Sequence, residues 1–239
     1  MSEKEFLAYM PSGAEITSPE KFIDFYSEAY FYDPAARDLS LESRIEEILK
    51  SDTWSRRDVI DILRWKVGAT SWDYEEEMVY HRWGAIDVHD LNDRIFGDTI
   101  ETAPKSPGQE ELEKKFFEKC LGASGIGPVY AITLLYFQSQ GKYPIYDKYA
   151  HIALLRLQDP KPFFSEESLV TDKAHNEEFH SRTGNMGTRW EDYCKNYVEP
   201  LKSLFIFESV YRKDRRLDRA LWAYGHLFNA TKTNKKRVK

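Results

Sequence analysis

Between Gly122 and Asp147 the chain reads GASGIGPVYAITLLYFQSQGKYPIYD, and few local folds accommodate that order of residues. Charged residues with helical spacing, Glu110 to Lys119, come first. Gly125 and Gly127 then make a tight turn. Pro128 suits the first position of a new helix, where a missing N–H costs nothing. Leu134, Leu135 and Phe137 make that second helix strongly apolar, so it is expected to be buried. Gly141 is placed to end it. The reading is two helices joined by a glycine hairpin. Such a turn leaves backbone N–H groups open at a helix N-terminus, a ready site for a phosphate. Tyr143 to Asp147 is short and extended, and its terminal carboxylate is placed to cap a helix from Lys148 to Leu157.

The rest of the chain also reads as helical. Phe22, Phe25, Tyr26 and Ala29 share one face of a helix from Pro19 to Tyr30, which Asp33-Pro34 breaks. Ser40 is expected to cap a helix from Leu41 to Lys50. Ser55 and Asp58 resemble a capping box opening a helix from Arg56 to Val67, closed by Gly68. Asp73 to Arg82 and Val88 to Phe96 are further helix candidates, the second capped by Asp87. Gly97 to Gly108 reads as a linker. Asp159-Pro160-Lys161-Pro162 ends the helix after Asp147. Residues 163–188 look like a loop or insertion. Trp190 to Val210 returns to helical spacing with an interruption near Pro200. Asp214 is placed to cap a last helix, Arg215 to Ala230, with Leu217, Leu221, Tyr224 and Phe228 inward, and 231–239 form a basic tail. Strand-like alternation is nearly absent. The expected class is all-α, with residues 1–239 as a single helical unit.

Gly125-Ile126-Gly127 followed by an apolar helix and Pro144-Ile145-Tyr146-Asp147 resembles the helix-hairpin-helix/Gly-Pro-Asp superfamily of DNA base-excision glycosylases. The resemblance covers residues 110–157. It implies two helical lobes with a cleft between them and double-stranded DNA as partner. It also implies hydrolytic excision of a damaged or mismatched base, on a branch similar to 8-oxoguanine glycosylases. A glycosylase flips its target nucleotide out of the duplex. As the base leaves, the sugar gains oxocarbenium character, which a fixed carboxylate stabilises. The family keeps that carboxylate at the position of Asp147, whose alternative reading is a plain helix cap.

In members that also nick the strand, a lysine two residues after the second hairpin glycine forms a Schiff base. Here that position is Val129, which implies a monofunctional enzyme. Gly125, Ile126, Gly127 and Val129 are the expected DNA-backbone contacts, and the family's hairpin often holds a monovalent cation. Ser124 and Ala123 stand where the family usually has proline and leucine. Trp65, Tyr146, Trp222 and Tyr224 are candidates for stacking the flipped base, each of which could equally be core.

Two cysteines, Cys120 and Cys194, cannot supply a four-cysteine iron–sulfur cluster. No histidine pair has zinc-ligand spacing, so no metal is expected. Met1 to Met10 lacks the apolar stretch of a signal peptide and no run approaches a membrane span, so a cytoplasmic protein is expected, nucleoid-associated if bacterial. The net charge of −6 runs against a generic DNA binder. The second reading is therefore a non-catalytic DNA-binding or protein-interaction module on the same scaffold.

Overall fold

The computed structural model describes residues 6–32, 38–82, 84–97, 102–105, 108–162, 189–205 and 213–237. The protein is mainly helical, as expected, and divides into two compact units. The first comprises residues 1–35, 146–207 and 215–239; the second comprises 36–145 and 208–214.

The first unit opens with a two-residue antiparallel pair, β1 (Ala8–Tyr9) and β2 (Glu15–Ile16), before α1 (Pro19–Ala29). Ser18 caps α1 through the Lys21 N–H, and Phe22, Ile23 and Tyr26 are buried.

In the second unit, α2 (Leu39–Lys50) is capped by Asp38, whose carboxylate accepts the N–H groups of Ser40 and Leu41. The expected cap at Ser40 is corrected by two residues. Asp38 outcompetes it because a carboxylate is a full-charge acceptor at the positive end of the helix. β3 (Thr53–Ser55) leads into α3 (Arg56–Val67), with the Ser55/Asp58 capping box formed and Gly68 left-handed at φ 60°.

The expected helix over Asp73 to Arg82 is not there. That stretch belongs to an antiparallel sheet of β4 (Ser71–Asp73), β5 (Met78–His81) and β6 (Gly84–Asp87). The reason is local. Asp73 accepts the N–H groups of Glu75 and Glu76, and Glu77 is left-handed at φ 49°, so the acidic run turns instead of coiling. Val79 and Ile86, paired across the strands, are buried, and β5 packs against α3.

After α4 (His89–Phe96) comes β7 (Thr102–Pro104), which pairs with β3 inside the stretch expected to be linker. Asp87 accepts the His89 N–H at the start of α4. α5 (Glu110–Leu121) packs against α6 (Pro128–Gln138), which also meets α3. Every residue of α6 from Ala131 to Gln138 is buried, the pattern of a helix surrounded by its own unit.

α7 (Lys148–Gln158) follows in the first unit. Residues 163–188, the expected loop, lie outside the described residues. The helical stretch around Pro200 is α8 (Arg189–Tyr193), a π-helical turn (Cys194–Val198) and α9 (Glu199–Leu204). The expected interruption therefore lies just before the proline. α10 runs from Arg216 to Arg237, starting one residue later and ending further on than expected. It packs against α1 and α7. Gly225 permits the second contact, because a Cβ there would lie 1.9 Å from the Tyr149 carbonyl oxygen. The core of this unit is aromatic: Phe22 meets Tyr26, Phe205 and Tyr224, and Tyr224 meets Phe228.

Candidate active site and hairpin

Asp147 stands at the N-cap of α7 with extended backbone, φ −145° and ψ −179°. Its Oδ1 accepts the N–H groups of Tyr149 at 2.9 Å and Ala150 at 3.0 Å, and its carbonyl accepts that of His151. Tyr143, Pro144 and Ile145, which deliver it, are buried, whereas Asp147 itself is half-buried. The side chain is thus fixed by the helix N-terminus without being sealed from solvent. Two donors on one oxygen at the helix N-terminus hold the carboxylate in place.

Tyr146 and Tyr149, close to Asp147 in sequence, each join a group of aromatic side chains of the first unit. The Tyr146 ring meets His151 edge-on at 5.5 Å, Tyr193 at 6.4 Å and Tyr197 at 4.9 Å. Tyr193 and Tyr197 stack at 5.9 Å with 28° between their planes. Tyr149 presents its edge to Trp222 at 5.2 Å and to His226 at 4.9 Å, and those two stack at 4.5 Å.

The four candidate base-stacking residues are divided between the two units. Trp65 lies on α3 in the second unit, its indole N–H donating to Glu42 at 2.8 Å and its ring against Phe137. Tyr224 is wholly buried in the aromatic core of the first unit, so it packs the fold. Tyr146 and Trp222 are half-buried in that unit. The helical spacing of Tyr224 with Leu217, Leu221 and Phe228 had offered the core alternative, and all four are buried.

The hairpin belongs to the second unit. Gly122 to Gly127 connects α5 to α6, with Ile126 buried and Ser124 and Gly125 exposed. Gly125 has φ +76°, which a side chain resists, and open space where its Cβ would be. Gly127 is the N-cap of α6 at φ −83° and ψ 171°, a conformation open to any residue. The Ile126 N–H is used, donating to Ala123. Among the described residues no internal acceptor takes the N–H of Gly125, Gly127 or Val129. Val129 is half-buried, and its carbonyl accepts the Thr133 hydroxyl.

Spacing did not expose one neighbour, Asp90. Its carboxylate accepts the Ser124 N–H at 3.0 Å and pairs with Arg94 at 2.9 Å. The Ser124 N–H, with Arg94, holds the Asp90 carboxyl below its ordinary range. One amide of the turn is therefore already committed to an acid.

Cys120 is buried and Cys194 half-buried, both free thiols. Burial pushes the Cys120 thiol upward. Among the described residues no group of three His, Cys, Asp or Glu is placed to hold a metal, and no helix is long and apolar enough to cross a membrane. Comparison with protein-family models, with curated proteins and with solved structures gives no match to this chain.

Proposed function

We propose that the protein is a DNA glycosylase-like base-excision enzyme that hydrolyses the N-glycosidic bond and does not nick the strand. The observation that supports this most is Asp147. It is a carboxylate whose Oδ1 accepts two backbone N–H groups of α7, half-buried, at the end of the Pro144–Asp147 segment. A charge fixed in this way needs no reorganisation when positive charge develops on a sugar, which is the condition for electrostatic catalysis. In this reading the two units are the two lobes of the enzyme. The open N–H groups of Gly125, Gly127 and Val129 hold a phosphate of double-stranded DNA. Water, oriented or deprotonated by Asp147, takes the place of an attacking amine.

The second reading, a non-catalytic module on the same scaffold, is favoured by Asp90. A carboxylate on the Ser124 N–H repels a phosphate approaching the same turn. Single-turnover assays on duplexes carrying 8-oxoguanine, uracil, alkylated purines or mismatched adenine separate the readings. Base release from at least one of them is expected. Incubation with abasic DNA and borohydride is expected to leave no covalent adduct, because the lysine position is Val129. No release from any lesion would move the assignment to the module, and a strong trapped band would show that another amine attacks.

A further inference from the structure

Gly225 lies in the interior of α10, where glycine weakens a helix and alanine would strengthen it. The packing leaves no room for alanine. A Cβ on Gly225 would lie 1.9 Å from the Tyr149 carbonyl oxygen, 2.7 Å from the carbonyl carbon and 3.1 Å from the Cα. All three are main-chain atoms, which cannot swing aside as the end of a side chain can. The two helices therefore meet backbone to backbone at Tyr149, in the first turn of α7. The neighbours of Gly225 on α10 hold the same residue. Trp222, one turn before, and His226, directly after, meet the Tyr149 ring at 5.2 and 4.9 Å. They stack on each other at 4.5 Å with 14° between their planes. Tyr149 is thus seated by its main chain on Gly225 and by its ring on the Trp222–His226 pair.

Tyr149 is also the residue whose N–H donates to Asp147 Oδ1 at 2.9 Å, with that of Ala150 beside it at 3.0 Å. Both donors to the carboxylate belong to the turn that rests on Gly225. We propose that Gly225 is a positioning residue for Asp147, with Trp222 and His226 completing the seat. Its missing side chain sets how closely the first turn of α7 settles on α10, and so where the carboxylate is held. A methyl group at Gly225 would drive the two backbones apart by about 1 Å, and a misplacement of that size can cost a catalytic group about 10²-fold in rate. The consequence for excision rests on the proposed function; the seating of Asp147 does not.

The test uses the full chain and follows the amide protons of Tyr149 and Ala150 by NMR. In Asp147→Ala, which removes the acceptor, both are expected to move upfield, and this marks their unbonded position. In Gly225→Ala both are expected to move in the same direction, because the turn is lifted off its seat. The amides of Leu154 to Leu157, at the far end of α7, are expected to stay in place. Unmoved Tyr149 and Ala150 amides in the folded variant overturn the proposal. A change spread evenly along α7 also overturns it, being the mark of a general loss of packing. Should Gly225→Ala not fold, His226→Leu decides instead, since it takes away one wall of the seat without a main-chain clash. The same upfield movement is expected there, and its absence overturns the proposal. On a lesion that wild type excises, Gly225→Ala is expected to lower kcat about 10²-fold with KM unchanged. A wild-type kcat in the folded variant overturns the positioning role. Absence of excision by wild type strikes the proposed function, while the amide shifts still decide the seat.

Discussion

At the scale of single residues, Lys105 shows how burial turns an ordinary side chain into a pH-dependent one. It is 7% exposed, and its Nζ donates to the Ile48 carbonyl near the end of α2. Desolvation pulls its ammonium down to about 8, against some opposing help from Asp58 and Asp52. An unfolded lysine titrates at about 10.4. Between those values the unfolded chain binds the proton and the folded chain does not, so stability rises with pH through that window. The rise expected from this group is up to about 3 kcal/mol. Urea unfolding at about pH 7.5 and about pH 9.5, compared with Lys105→Met, isolates it. The wild type is expected to gain stability relative to the variant at the higher pH; a constant difference between them would show that Lys105 is solvated. Buried tyrosines such as Tyr26 and Tyr224, pushed upward by burial, act with the opposite sign once unfolded tyrosine ionises near about pH 10, so the comparison stays below that.

Features made by a few consecutive residues were legible in the sequence, and features made across the chain were not. The Ser55/Asp58 box, the Gly68 stop, Pro128 at a helix start and the Asp147 cap each rest on neighbours within one turn, and all are present. Asp73 to Arg82 misled because its spacing suits a helix, while the pairing that makes it a hairpin depends on Gly84–Asp87 and on α3 beneath. The end of α6 was half legible. Gly141 donates its N–H back to Tyr136, but the first left-handed residue is Gln140, at φ 52°. Asp90 reaches the hairpin from a distant element and left no mark in local spacing. The hairpin yields a prediction of its own. Gly127 has ordinary dihedral angles and open space at its Cβ, so Gly127→Asp is expected to cap α6 and raise stability by a few tenths of a kcal/mol. The same carboxylate would face a bound phosphate, so DNA affinity is expected to fall at least tenfold, about 1.4 kcal/mol. Thermal melts and anisotropy titrations check both, and unchanged affinity in the folded variant would leave the hairpin a purely structural turn.

Across the whole molecule the charge is uneven. The net −6 falls entirely on the second unit, the one with the hairpin, while acids and bases balance in the first. On the proposed glycosylase reading, association with DNA depends on a small number of directed backbone contacts working against a repulsive background. Affinity is expected to fall with salt, with a shallow slope in log–log form because few phosphates are neutralised. Binding to undamaged duplex that is insensitive to salt, or absent at low salt, would count against backbone contact through the hairpin. The most direct test of the central claim is single-turnover base release by wild type and Asp147→Asn on the lesion duplexes. Asparagine keeps the shape and can cap α7, so the fold and DNA affinity are expected to persist. The excision rate is expected to fall about 10²–10³-fold, the effect of losing a preorganised charge at the transition state. Excision by Asp147→Asn at the wild-type rate would contradict the claim and leave Asp147 as a helix cap alone.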